Sequence, residues 1–125
     1  MAKKILIVDD EPHIRILLEQ TLELLEDQGV ELIAAEDGRE GLQTALDEQP
    51  DLIFLDVNMP YLSGYEVCQR IKEADHQIPV ILLTAKGQAL DKERGREAGA
   101  DEYVTKPFDP DQVLNKAAQI LGIDI

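Results

Sequence analysis

Short apolar segments alternate with longer amphipathic segments along the whole chain. Four of the apolar segments are continuous runs of mostly aliphatic residues, which is typical of strands that are covered on both faces. They comprise residues 5–8, 32–35, 52–55 and 80–83. A shorter fifth strand is predicted around Tyr103 and Val104.

The segments between these runs have the spacing and the end residues of helices. Helices are predicted over about 12–27, 37–49, 65–73, 88–98 and 110–121. Asp37 and Asp109 are suitable amino-terminal caps, and Pro110 suits a first helical turn. The fourth of these helices has few large apolar residues and an internal glycine, Gly95, so we expect it to be weakly anchored.

Five βα units in this order predict an α/β domain with a five-stranded parallel sheet and helices on both faces. We expect the strand order 2-1-3-4-5 of a flavodoxin-like, doubly wound sheet. No internal linker or repeat divides the chain, so residues 1–125 are expected to form a single domain without an output domain.

Charge and composition narrow the classes of partner. The 125 residues include 12 basic and 26 acidic side chains, which gives a formal net charge of −14 at pH 7. Such a charge repels phosphate backbones and anionic lipids, so we expect no direct nucleic-acid or membrane partner and favour divalent cations or a basic protein face. With a single cysteine, Cys68, no apolar run of membrane-spanning length and no secretory signal after Met1, a cytoplasmic protein is expected.

Polar residues follow the predicted strands at the point where each strand ends. Asp9 and Asp10 come directly after the first strand, Asp56 follows the third, Thr84 the fourth and Lys106 the fifth. Because the carboxyl ends of parallel strands meet at one edge of the sheet, these side chains are expected to converge, with the three aspartates between strands one and three.

Three carboxylates at close range repel one another, so one of them must hold a proton or a cation must bind. Mg²⁺ suits such a site because it binds a few carboxylate oxygens and keeps several waters. Together with the ammonium of Lys106 and the hydroxyl of Thr84, this set favours phosphoryl transfer, in which a carboxylate can itself be the nucleophile.

Five short motifs place these residues in a wider pattern: VDDE (8–11), LDVNMP (55–60), LTA (83–85), GADEY (99–103) and TKPF (105–108). In order and spacing, over the whole chain, they resemble the receiver domain of two-component response regulators, in particular single-domain receivers of the chemotaxis type. Each motif alone is weakly specific, but five in register are a strong indication.

The resemblance implies a role for each matching residue. Asp56 would accept a phosphoryl group from the phosphohistidine of a histidine kinase or a phosphotransfer domain. Asp9, Asp10, Asp56 and the backbone carbonyl of Asn58 would hold Mg²⁺, for which Mn²⁺ can substitute. Lys106 would pair with Asp56 and later with a phosphoryl oxygen. Glu11 is expected to lie too far around the turn to bind the metal directly.

The resemblance also implies how the surface changes. Thr84 would move toward the phosphate and Tyr103 would move inward, and the Lys106–Pro107 peptide bond would be cis. Asn58 and Lys86 match positions that tune dephosphorylation. A downstream protein would bind the face formed by the fourth predicted helix, the fifth strand and the fifth predicted helix, with the chain a monomer or a weak dimer. The chain would be a signalling phosphoacceptor that dephosphorylates itself slowly, not an enzyme with a separate substrate.

Other functions remain open from the sequence alone. The main alternative is a receiver fold that binds partners without phosphorylation. A haloacid-dehalogenase-like phosphotransferase needs Asp-x-Asp after the first strand and usually a cap insertion, and neither is found here. A nucleotide-binding protein of this fold class would need a loop rich in Gly, Ser or Thr after the first strand, where this chain has Asp9, Asp10 and Glu11.

Overall fold

The computed structural model describes residues 2–85 and 89–125 and shows a five-stranded sheet. Its order is β2-β1-β3-β4-β5 and every neighbouring pair is parallel, which confirms the predicted fold class and topology. The strands are β1 (Lys4–Val8), β2 (Glu31–Ala35), β3 (Leu52–Asp56), β4 (Val80–Ala85) and β5 (Glu102–Lys106).

Helices connect the strands and cover both faces of the sheet. They are α1 (Pro12–Thr21), α2 (Glu23–Glu26), α3 (Gly38–Glu48), α4 (Gly64–Ala74), α5 (Ala89–Glu97) and α6 (Pro110–Leu121). The fourth predicted helix therefore corresponds to α5 and the fifth to α6. Residue 88, the predicted start of the fourth helix, lies outside the described residues. The predicted caps are confirmed, because the carboxylates of Asp37 and Asp109 accept from the N–H groups of Glu40 and Asp111.

The prediction of one continuous first helix was wrong, because the helix is interrupted at Leu22. The Thr21 hydroxyl donates to the carbonyl of Leu17 at 2.7 Å, a back-bond of the kind that bends helices. Leu22 has φ −95° and ψ 8°, outside the helical range, and the short helix α2 begins after it.

Alternate residues of the central strands point to opposite faces of the sheet and form two core layers. One layer contains Ile5, Ile7 and Phe54 and packs against α1, α2 and α6, whereas the other contains Leu6 and Leu55 and packs against α3 and α4. Side chains of α5 are described for residues 93–97, and among these only Gly95 is buried. Nowhere in residues 2–85 and 89–125 does a helix have the length and hydrophobicity needed to cross a bilayer.

The loop after β3 contains an unusual backbone conformation at Tyr61. Tyr61 has φ 73°, and the N–H of Leu62 donates to the carbonyl of Pro60 at 2.9 Å, which closes a three-residue turn of the γ type. The Tyr61 ring is 70% exposed and lies under the guanidinium of Arg39, 4.7 Å from the ring centroid. A side chain with positive φ is strained, since its Cβ approaches the following carbonyl.

This strain predicts a difference between two substitutions at Tyr61. Both Tyr61→Gly and Tyr61→Ala remove the ring and its contact with Arg39, but only glycine adopts the positive φ without a Cβ penalty. We expect Tyr61→Gly to be the more stable variant by about 1 kcal/mol, as measured by urea unfolding. Equal stability of the two variants would contradict the inferred strain.

Candidate functional site

Four acidic side chains gather at the carboxyl edge of the sheet. Asp9, Asp10, Glu11 and Asp56 each offer a carboxylate oxygen, and these oxygens all lie within 4.8 Å of one another. Asp9 and Asp56 are buried, whereas Asp10 and Glu11 are exposed. The register explains the convergence: Val8 of β1 pairs with Leu55 of β3, so the next residues leave neighbouring strands at the same level.

Glu11 lies closer to the aspartates than the sequence predicts. The turn after β1 folds back because the N–H of Glu11 donates to Oδ1 of Asp9 at 2.9 Å. Its carboxylate is thereby a fourth member of the cluster, 3.3 Å from Nε2 of the exposed His13. The Glu11 carboxylate therefore lies beside the aspartates, and its lack of direct contact with a bound metal stays a prediction.

Lys106 at the end of β5 extends across β4 to the acidic cluster. Its Nζ atom lies 3.0 Å from Oδ2 of Asp9, 3.2 Å from Oδ1 of Asp56 and 3.8 Å from Oε1 of Glu11. The peptide bond between Lys106 and Pro107 is cis. Among the described residues, the ammonium of Lys106 thus contacts three of the four carboxylates, which leaves an excess of negative charge at the edge.

This charge distribution shifts the pKa values of two residues. Burial, followed by the nearby carboxylate of Asp9, raises the pKa of Asp56 to about 6, although Lys106 and the N–H of Asn58 oppose the shift. For Lys106, burial alone would lower the pKa, but the hydrogen bond to Asp9 and the charges of both aspartates outweigh it and raise the pKa above its usual value. In the absence of a cation, Asp56 therefore takes up a proton at a higher pH than an ordinary aspartate does.

The remaining predicted residues lie around this cluster. Asn58 donates its backbone N–H to Oδ1 of Asp56 at 3.4 Å. Thr84 is buried near the end of β4, one residue after Leu83, which pairs with Asp56. Tyr103 is half-buried against the α3–α4 side of the sheet, and Lys86 lies outside the described residues.

Three further residues, for which the sequence indicates no role at the site, make close contacts around it. Gly64 donates its N–H to the carbonyl of Val57 at 2.9 Å, and a Cβ added there would lie only 2.7 Å from the Cα of Val57. Gly95 would likewise bring an added Cβ within 2.6 Å of the ring of Tyr103. Arg15 donates from Nη1 to the carbonyl of Asp9 at 2.7 Å. No pattern in the sequence indicates the close approaches of the two glycines. Arg15 could have been found, because it follows Glu11 by one helical turn and so lies on the side of α1 near the end of β1.

Residues 5–118 match the family model for the response regulator receiver domain. This chain belongs to that family. The receiver domain is 47% identical over 121 residues to the alkaline phosphatase synthesis transcriptional regulatory protein PhoP of Bacillus subtilis, a match that covers 97% of this chain and 49% of PhoP. It is 43% identical over 120 residues to the DNA-binding dual master transcriptional regulator RpaA of Synechocystis, covering 94% of this chain and 48% of RpaA.

Solved structures agree with the assignment. A CheY-like receiver domain protein from Methanospirillum hungatei superposes with a TM-score of 0.88 at 30% identity, covering 98% of this chain and 95% of that protein. The chain spans about half the length of the curated relatives that it matches. Receiver domains of this kind are parts of two-component systems, where they interact with histidine kinases and downstream effectors.

The raised pKa of Asp56 predicts a pH-dependent gain in stability for Asp56→Asn. Folding raises the pKa of this carboxyl from its usual value of about 3.9 to about 6. The stability it contributes is therefore fully present below about pH 4 and is lost as the pH rises through 6. Since Asn cannot ionise, we expect metal-free Asp56→Asn to exceed the wild type by about 1–3 kcal/mol at pH 8, and the difference to shrink below pH 4.

Urea unfolding at pH 4, 6 and 8 in the presence of a chelator measures this difference. Asp47→Asn is a matched control, because Asp47 is exposed on α3 and should show no comparable gain. A difference between Asp56→Asn and the wild type that does not change from pH 4 to pH 8 would contradict the inferred pKa.

Proposed function

We propose that this receiver domain accepts a phosphoryl group on Asp56 from the phosphohistidine of a histidine kinase or a phosphotransfer domain. The observation that supports this most directly is the contact between the buried Asp56 carboxylate and the ammonium of Lys106, at 3.2 Å, within the four-carboxylate cluster. A nucleophile, a fixed positive charge and oxygen ligands for a cation are the components that phosphoryl transfer needs.

The donor set fits Mg²⁺. Asp9, Asp10 and Asp56, with the backbone carbonyl of Asn58, would hold the ion, and Mn²⁺ would bind the same oxygen ligands. Within the described part of the chain, the four carboxylates exceed the ammonium of Lys106 in charge, and a divalent cation would neutralise part of that excess. When bound, the metal supplies the positive charge that lets an anionic phosphoryl group approach these carboxylates.

The residues of the chain then have separate tasks in the transfer. An Oδ atom of Asp56 attacks phosphorus, the phosphorus–nitrogen bond to the histidine breaks, and the electron pair leaves with the imidazole. Asp56 must be ionised to attack, and its pKa of about 6 keeps it largely ionised at neutral pH even without a cation. Lys106 remains within reach of Asp56 and can donate to an oxygen of the acyl phosphate. Later attack by water on phosphorus returns the carboxylate and releases phosphate.

Phosphorylation would change the surface through Thr84 and Tyr103. The added charge and acceptor oxygens favour donation from the Thr84 hydroxyl and from Lys106. Tyr103 of β5 pairs with Leu82 of β4, and Leu82 is two residues before Thr84. The side chains of Thr84 and Tyr103 therefore lie on the same side of the sheet, the side covered by α3 and α4. Movement of Thr84 toward the phosphate would therefore alter the space that the Tyr103 ring occupies, on the face formed by α5, β5 and α6.

In a longer regulator, the other domain would respond to the change at the face formed by α5, β5 and α6. Because PhoP and RpaA are transcriptional regulators and this chain matches about half of each, DNA binding by a whole protein that contains this receiver is part of the proposal. For the receiver itself, the net charge of −14 still predicts no direct contact with nucleic acid.

Labelling tests the proposed acceptor. With Mg²⁺ and a phosphorylated histidine donor, or a small acyl phosphate, borohydride reduction followed by mass spectrometry should locate the trapped group on Asp56. Asp56→Asn should lose it, since an amide cannot form the acyl phosphate, whereas the control Asp47→Asn should keep it. Lys106→Ala should still be labelled but should lose the surface change that follows.

Two outcomes of this experiment would contradict the assignment. Trapping on Asp9 would indicate a phosphotransferase that uses an aspartate after the first strand. Failure of every donor to label the wild type, together with partner binding that is independent of Asp56, would favour the receiver fold that works without phosphorylation.

The close approach of Gly95 to Tyr103 predicts that Gly95→Ala displaces the ring. An added Cβ would lie 2.6 Å from Cε1 of Tyr103 and 2.8 Å from Cδ1 of Leu82. We expect the variant to lose about 1–3 kcal/mol of stability and to shift the NMR signals of the Tyr103 ring before any phosphorylation. In a Tyr103→Ala background the loss should be smaller, because one of the two contacts is gone. An equal loss in both backgrounds would assign the cost to Leu82 alone.

A further inference from the structure

Arg15 on α1 contacts the strand end from which two of the proposed metal ligands project. Its side chain is 15% exposed, Nη1 donates to the carbonyl of Asp9 at 2.7 Å, and Nη2 lies 3.8 Å from Oε1 of Glu36. Both β-ladders of β1 end at Val8, so the carbonyl of Asp9 lies beyond the sheet. A buried carbonyl in such a position needs a donor from elsewhere, and Arg15 is that donor.

The other polar atoms of Asp9 are also held. Its N–H donates to the carbonyl of Ala35 at 3.2 Å, Oδ1 accepts from the N–H of Glu11, and Oδ2 accepts from Lys106. The carbonyl bound by Arg15 belongs to the peptide unit that joins Asp9 to Asp10. Fixing the orientation of that unit therefore constrains the backbone from which both carboxylate side chains project.

We propose that Arg15 is a positioning residue of the metal site, which orients the Asp9–Asp10 peptide unit so that the acidic cluster can bind a divalent cation. The inference rests on the proposed function, in which Asp9 and Asp10 hold Mg²⁺. A positive charge near a cation site lowers affinity for the cation, whereas an oriented ligand raises it. These two effects of Arg15 have opposite signs, and the proposal states that orientation outweighs charge.

The opposite signs make Mg²⁺ affinity a decisive readout. Calorimetric titration of the unphosphorylated protein with MgCl₂ should show at least tenfold weaker binding for Arg15→Met, the usual cost of losing a group that orients a metal ligand. Arg15→Lys keeps the charge but not the planar fork of donors, so its affinity should also fall. The control is Arg70→Met, which removes an exposed arginine paired with Glu66 at 3.0 Å on α4 and should leave the affinity unchanged.

A second measurement reports on the bond itself. The carbonyl ¹³C signal of Asp9 in the metal-free protein should shift in Arg15→Met and Arg15→Lys but not in Arg70→Met. If Arg15→Met does not fold, Arg15→Lys decides alone, because its charge is retained and any loss of affinity then comes from the altered hydrogen bond.

Each remaining outcome separates this inference from the proposed function. Equal or tighter Mg²⁺ binding by Arg15→Met, with the wild type binding normally, would show that Arg15 acts only as a counter-charge and would overturn the inference while leaving the proposed function intact. Absence of Mg²⁺ binding by the wild type would instead overturn the metal site and the inference together.

Discussion

The ammonium of Lys106 lies between the buried carboxylates of Asp9 and Asp56, and the chemistry at this edge of the sheet depends on that contact. Burying one carboxylate is costly, and burying two side by side is costlier, unless a cation is close to both. Lys106 offsets part of this cost but cannot neutralise four carboxylates. The raised pKa of Asp56 is the consequence: the site stays short of positive charge and favours either a proton or a divalent cation.

The parallel sheet is what brings these groups together. Asp9, Asp56 and Lys106 are far apart in sequence, yet each stands at the carboxyl end of its strand or one residue beyond it. Because all five strands run in the same direction, their ends share one edge, and the central positions of β1 and β3 place the two aspartates next to each other. The buried aliphatic strands thus supply both the stability of the core and the alignment of the site.

The parallel arrangement of the strands explains which features could be predicted from the sequence. Continuous aliphatic runs indicate the strands, and a polar residue at the end of a run indicates the site. Both features are visible directly in the order of the residues. The interruption at Leu22 is associated instead with one hydrogen bond, from the hydroxyl of Thr21 to the backbone carbonyl of Leu17. The proximity of Glu11 depends on how tightly one turn folds, and the bond from Arg15 to Asp9 depends on where α1 packs. Spacing alone determines none of these.

Close packing of a glycine against backbone or against a ring is also not visible in the sequence. Gly64 and Gly95 are two examples, one near Asp56 and one near Tyr103. Gly64 allows α4 to begin directly against the backbone that follows Asp56, so β3 and this helix are in immediate contact. Gly95 is the buried residue among 93–97 of α5, and it faces the ring of Tyr103. In this part of α5, Gly95 packs closely against Tyr103 and Leu82, and the Arg94 guanidinium lies over the Tyr65 ring at 4.5 Å. A displacement of Tyr103 therefore changes the packing against Gly95 on the α3–α4 side of the sheet, opposite the layer that packs against α1, α2 and α6.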